Sequence, residues 1–291
     1  MKHIRILITG IVLSLTIITG CDMNEDLQLD EGKGRIYIHL TDAPFPIDIV
    51  SNAYVTIDKI EIRKQIDATL EDGEDSIILI SDKKFTIDLL ELTNGITEQI
   101  ATADLVAGSY DMIRLRVLDA TLIMKDGTEY DLKIPSGYTS GIKVKFSPDI
   151  NLADGQTSDV LLDFDVSKSF VVKGNINGNI EGFNFKPVVR GVFMEEAGSI
   201  EGNVSDSLGF PLENVHVKAW YTSDYYKGAN DEKSISAFTD IYGNYKLIGL
   251  NKGKYIVAFE LTGFEKDAMG NFSIRAGEST IVDTELIEIE N

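Results

Sequence analysis

LVAGSYDMIRLRV, residues 105–117, decides how the rest of the chain is read. Past Tyr110, the apolar residues Ile113, Leu115 and Val117 alternate with Arg114 and Arg116. A period of two is what one half-buried strand face produces, and a helix does not produce it. The same period recurs along the chain. Ile36, Ile38 and Leu40 share one face, and Val55 and Ile57 keep that parity before Ile60 and Ile62 reverse it. One extra residue in a strand has that effect, so a β-bulge is predicted at Asp58-Lys59. Ile142, Val144 and Phe146 alternate with Lys143 and Lys145, and Val160, Leu162, Phe164 and Val166 oppose Asp163 and Asp165. The chain therefore reads as all-β, built as two β-sandwich domains.

Local signals add detail. Asp126-Gly127 reads as a two-residue hairpin turn, which sets Lys125 opposite Thr128, Ile123 opposite Tyr130 and Thr121 opposite Leu132. EDGED at 71–75 reads as a solvated hairpin tip, and one short helix is expected near residues 97–105. Glu195-Glu-Ala-Gly198 reads as a hinge. Leu105-x-x-Gly108-x-Tyr110 and Leu250-x-x-Gly253-x-Tyr255 share a spacing, and each leads into an alternating strand. Both domains are therefore expected to turn the same corner.

The N-terminus carries a different signal. Lys2 and Arg5 precede an uncharged run from Ile6 to Gly20, which is the layout of a secretory signal peptide and too short to span a bilayer as a helix. Cys21 follows it and is the only cysteine, so no disulfide within the chain is possible. Ile18-Thr19-Gly20-Cys21 resembles the lipobox of bacterial lipoproteins, in which the cysteine is acylated and becomes the mature N-terminus. That resemblance implies a lipid anchor at Cys21, and more than one acyl chain gives stable residence in a membrane. Asp22, Glu25 and Asp26 resemble the acidic surface-export tag of some Gram-negative lipoproteins. Asp directly after the cysteine also resembles the inner-membrane retention signal of enteric bacteria. The expectation is the cell envelope, in the outer membrane and at the cell surface.

The boundaries read as a signal peptide at 1–20, an acidic linker at 21–33, and β domains at 34–194 and 199–291. Loss of residues 1–20 removes Lys2 and Arg5 and no acid, leaving 25 basic against 47 acidic residues, a net charge of −22. Such a balance argues against nucleic acid as a partner and against electrostatic attraction to anionic membranes.

Two resemblances cover the folded part. "GSIEGNVSDSLGFPLENVHVKAW", "AFTDIYGNYKLIGLNKGKYIVAFELTGF" and "IRAGEST" make the C-terminal domain similar to the carboxypeptidase regulatory-like domain, which implies a prealbumin-like (transthyretin-like) sandwich. That module is an accessory to enzymes and is reused in adhesins, receptors and starch-binding-like proteins. "LTDAP", "DLLEL", "LVAGSYDMIRLRV", "KIPSG", "LLDFDVSKSF" and "FKPVVRG" make the N-terminal domain similar to the family called domain of unknown function 4382, which implies no activity.

Chemistry is sparse. His39 and His216 sit in strand patterns without metal-ligand spacing, and no nucleophile elbow, zinc motif or phosphate loop occurs. Asp163 and Asp165 read as a charged outer face. No catalytic residue, metal or cofactor is expected. AWYTSDYYKGAND, residues 219–231, is the one suggestive patch. Val215, Val217 and Ala219 take the core face of a strand, so Trp220 takes the other. It either points outward with Tyr225, Tyr226 and Asp224 as a platform for sugar rings, or packs against a loop or the neighbouring domain. The sequence thus points to a non-enzymatic, envelope-anchored lipoprotein that binds carbohydrate or another envelope protein. The alternative is a fimbria-like subunit that donates the terminal run 279–289 to a partner's sheet.

Overall fold

The structure is a computed structural model describing residues 29–43, 49–65, 76–134, 140–174 and 180–289. Cys21, the leader and the tip at 71–75 lie outside the described residues. The N-terminal unit contains β1 (Lys33–Ala43), β2 (Val50–Lys64), β3 (Ser76–Ser81), β4 (Phe85–Asp88), β5 (Glu98–Val106) and β6 (Gly108–Met124). It continues with β7 (Glu129–Leu132), β8 (Ile142–Leu152), β9 (Thr157–Asp165), β10 (Phe170–Gly174), β11 (Ile180–Phe185) and β12 (Val189–Phe193). The C-terminal unit contains β13 (Ala197–Asp206), β14 (His216–Tyr221), β15 (Ile235–Phe238) and β16 (Asn244–Asn251). β17 (Gly253–Glu260), β18 (Asp267–Ile274), β19 (Ser279–Ile281) and β20 (Thr284–Leu286) complete it.

Each unit is built on a pair of sheets around its own apolar core, and the first adds β10 and β11 as a separate antiparallel pair. In the first, the sheet β12-β9-β1-β5 faces the sheet β3-β2-β6-β7, with β4 on β2 and β8 on β6. Ile36, Ile38 and Leu40 of β1 and Ile113, Leu115 and Val117 of β6 are fully buried in one cluster. In the second, β16-β13-β19 faces β15-β14-β17-β18, and Ile200, Val204, Val217, Val257 and Phe259 fill the space between. The bulge falls where the parity break places it: Ile57 opposes Val117 and Lys59 opposes Arg116, leaving Asp58 as the extra residue. Ile57 and Ile60 thereby both reach the core.

The two units share one strand plan. β1 runs antiparallel to β5 and parallel to β9, as β13 runs antiparallel to β16 and parallel to β19. The next strand lies in the other sheet, β2 beside β6 and β14 beside β17. β4 flanks β2 as β15 flanks β14, and β8 flanks β6 as β18 flanks β17. The corners carry the shared spacing. Tyr110 donates its hydroxyl to the Val106 carbonyl at 2.6 Å, and Tyr255 donates to the Asn251 carbonyl at 3.0 Å. Both rings are buried where the chain leaves one sheet for the other, which is a tyrosine corner in each unit. The glycines differ in backbone, Gly108 alone taking a positive φ of 153°.

Four expectations are corrected. The hairpin is shifted by one residue: Leu122 opposes Tyr130 and Ala120 opposes Leu132. Gly127 takes φ +85° as the third residue of the loop Lys125-Asp126-Gly127, closed by Met124 N–H to Thr128 O at 2.8 Å. A three-residue loop with a left-handed glycine moves the register by one and so exchanges the two faces. Residues 97–105 form most of strand β5, not a helix, because β1 has a second edge whose backbone groups need partners. The expected hinge is a 3-10 turn, Met194–Glu196, and Ala197 after it is buried against Leu161 and Val192. The terminal run is not free for donation. β19 and β20 pair parallel with β13 of the same chain, and Val282 and Leu286 are buried. Gly202 permits that approach, since a Cβ there would collide with the Val282 carbonyl oxygen.

Candidate ligand cleft

β14 ends in a loop that folds back over it, through a single helical turn at Thr222–Tyr225 and a 3-10 turn at Asp231–Lys233. Trp220 lies beneath this loop, 3% exposed, with its indole N–H donating to the Asn230 carbonyl at 3.1 Å. Tyr225 meets the indole edge-on at 5.7 Å, and Tyr226 meets Tyr225 in the same way. Lys218, also buried, holds its ammonium 5.6 Å from the Trp220 ring and pairs with Glu260 at 3.1 Å. Of the two readings of Trp220, the structure takes the packed one. Tyr226 remains well exposed, and Asp224 turns to Lys233 at 3.1 Å.

His216 stacks flat on Phe238 at 4.5 Å. Burial, and then the nearby Lys218 charge, lower its pKa to about 4, so the ring is neutral at pH 7. His39 is paired with Asp159 at 2.8 Å. Among the described residues no group of three or more His, Cys, Asp or Glu is arranged to hold a metal.

Asp163 and Asp165 are not on a solvated face; each is about 8% exposed. β9 lies between β12 and β1, and the outward face of its end meets the C-terminal unit. A buried carboxylate needs a cation, and each has one. Arg190, opposite Asp163 in the β12–β9 ladder, donates to Asp163 Oδ2 at 2.7 Å and reaches across to the Gly249 carbonyl. Lys168 pairs with Asp165 at 2.7 Å and donates to the Ser234 carbonyl at 3.1 Å. Both cations thus tie the units together. Gly249 (φ +67°) allows the close approach, since a Cβ there would lie 2.9 Å from Leu161.

Between these ties lies a cleft of about 310 Å³. The pairs Asp163–Arg190 and Asp165–Lys168 form one wall, and Asp224–Lys233, Tyr221, Asn251 and Tyr255 form the other. Tyr221 is 36% exposed and stacks on buried Tyr255 at 4.6 Å. The cleft therefore offers paired acceptors and donors beside one aromatic surface. Polyhydroxyl ligands are held by that combination, with hydroxyls on the charged groups and C–H faces on the ring. Of Trp220, Tyr225, Tyr226 and Asp224, the residues expected to form the platform, Asp224 reaches it, and Ala219 and Tyr221 of the same stretch line it too.

Sequence reasoning missed Asp42. Its parity is that of Ile36, Ile38 and Leu40, so it points into the core and is 5% exposed. Oδ1 accepts from Val166 N–H at 3.0 Å, and Oδ2 has no partner. Burial first, then the carboxylates of Asp163, Asp165 and Asp88, push its pKa well above the ordinary range and favour the protonated acid. The parity alone was a usable signal.

The model of the family named Domain of unknown function (DUF4382) matches residues 33–187, more than half of the chain. The chain belongs to that family. No curated protein matches the sequence. Among solved structures, the wild-type catechol 1,2-dioxygenase from Acinetobacter radioresistens is similar over 33% of this chain and 53% of its own, with 13% identity and a TM-score of 0.25. A candidate carbohydrate-binding protein from Bacteroides uniformis is similar over 31% of this chain and 41% of its own, with 17% identity and a TM-score of 0.25. The Bacillus anthracis TIE protein covers 87% of this chain with 34% of its own, at 13% identity and a TM-score of 0.26. The chain spans about half the length of the dioxygenase it matches.

Proposed function

We propose that this chain is a lipid-anchored binding protein of the cell envelope that captures carbohydrate in the cleft between its two units and performs no catalysis. The cleft carries the reading. Its walls come from both units, its carboxylates are already matched by cations, and Tyr221 presents a ring at its mouth. Groups fixed in this way are pre-organised for hydrogen bonding to a ligand. A carboxylate held against a cation is a poor general base, which favours binding over reaction.

The anchor reading rests on the leader and on Cys21 as the acylated first residue of the mature chain, with the acidic stretch after it as a stalk. It places the protein in the outer membrane, facing out. The unit at 199–291 is read as transthyretin-like. Its strand plan and its turns at Gly209, Asp240–Asn244 and Asn251–Gly253 support that reading.

Two measurements test the proposal. Metabolic labelling with a fatty-acid probe is expected to mark the native chain and to leave Cys21→Ser unlabelled; label in neither form would remove the anchor. A glycan array probed with the detergent-solubilised full-length protein is expected to retain a saccharide. An array with no retained glycan would end the carbohydrate assignment.

A further inference from the structure

The chain carries a net charge of −20, yet one sheet face gathers cations in one part. When β2, β6 and β8 are laid side by side, their core-facing residues alternate with a row of cations on the outside. Lys59 and Arg63 come from β2, Arg114 and Arg116 from β6, and Lys143 and Lys145 from β8. Register makes them neighbours: Lys59 opposes Arg116, and Lys143 opposes Arg114. The carboxylates lying among these cations are Asp58, Glu61 and Asp111, and Glu61 is paired with Lys59. Asp58 is held by Arg116 at 2.6 and 2.7 Å, and Asp111 by Arg63 at 2.8 and 2.6 Å. Asp119 of β6 and Asp149 of β8 lie further along the same side, so over the three strands six cations meet five acids and the balance depends on position.

The surplus is localised. Lys143 and Lys145 are exposed and form no ion pair among the described residues. Arg114 reaches Glu61 only at 3.4 Å, and its Nε, shielded from solvent, donates to nothing. Its stem extends over Gly141, where a Cβ would stand 2.7 Å from Arg114 Cγ. Neighbouring strands lie about 4.8 Å apart and alternate residues of one strand about 6.8 Å apart, so Arg114, Lys143 and Lys145 form a short, regular line of charge.

We propose that this outer face, centred on Lys143, Lys145 and Arg114, docks an acidic polysaccharide. Charge complementarity selects the partner. A chain bearing carboxylates or sulfates at regular intervals follows the unpaired cations along β8 and passes beside the paired acids. A uniformly anionic bilayer would press its charge onto Asp58, Glu61 and Asp111 as well. The apolar residues of this face, Ile77 and Leu79, sit on the edge strand β3, away from the line of cations. The inference stands on the charge layout alone and does not depend on the cleft.

The test uses the full-length protein with heparin and polygalacturonate as probes. Retention on immobilised heparin is expected at low salt and release as salt rises, since the contact works through counterion displacement. Lys143→Ala with Lys145→Ala is expected to lower affinity about tenfold or more at an unchanged unfolding temperature. Tyr221→Ala, which alters the cleft, is expected to leave heparin binding as it was. A double lysine variant that binds as the parent does would overturn the proposal, as would a parent that flows through at low salt. Binding to vesicles of anionic phospholipid without competition by either polysaccharide would replace the glycan with a membrane and overturn the assignment.

Discussion

Tyr110 and Tyr255 occupy the same place in two units that share a strand plan, each donating its hydroxyl to a carbonyl four residues upstream. The bond spans the step between sheets, so it fixes how one sheet is set against the other. Tyr110→Phe and Tyr255→Phe each leave a carbonyl at a buried corner without its donor. Each is expected to cost about 1–3 kcal/mol, measured by urea unfolding. Stabilities equal to the parent would mean that the corners carry no load.

Trp220 reports its own environment, because it is the only tryptophan. Packed under the loop with its N–H on Asn230, it is expected to emit at short wavelength and to resist iodide quenching. Trp220→Ala removes a large buried ring and is expected to cost about 3–5 kcal/mol. Emission typical of a solvated indole would reopen the outward reading.

Asp42 gives a pH signature with a definite sign. Its folded pKa lies far above its unfolded value, so the folded state binds the extra proton. Stability from this group is greatest at low pH and falls as pH rises above about 3.9, until the folded pKa is passed. Asp42→Asn keeps an acceptor for Val166 N–H and removes the ionisation. It is expected to raise the unfolding temperature at pH 7, with the gain vanishing near pH 4. An equal or lower unfolding temperature at pH 7 would refute the neutral assignment.

His216 has the opposite linkage. Its folded pKa of about 4 lies below the usual 6.5, so the unfolded state binds its proton first. Stability is lost as pH falls from about 6.5 towards 4. Proton NMR of the ring is expected to show no titration between pH 5 and 8; a midpoint near 6.5 would contradict the burial argument.

The strand faces were legible because alternation is a local property, and Ile113, Leu115 and Val117 need no partner to be recognised. The hairpin at Asp126-Gly127 was misplaced by one residue, because the dipeptide does not say how many residues precede the left-handed glycine. Residues 97–105 were misread because the free edge of β1, some sixty residues away, decides their state. Asp163 and Asp165 alternate outward as read, but the C-terminal unit covers them, and no pattern within β9 announces that contact. The cluster of Arg114, Lys143 and Lys145 was hidden by the total charge. It exists only once β2, β6 and β8 are brought side by side.

The claim that most depends on the whole arrangement is capture of a saccharide between the two units. Its direct measure is the affinity of Tyr221→Ala for the glycan retained by the parent, read by calorimetry beside the unfolding temperature. The account predicts at least a tenfold loss with unchanged unfolding, since truncating an aromatic anchor of a binding site costs about 2 kcal/mol or more. Equal affinity in parent and variant would place the ligand elsewhere and contradict it.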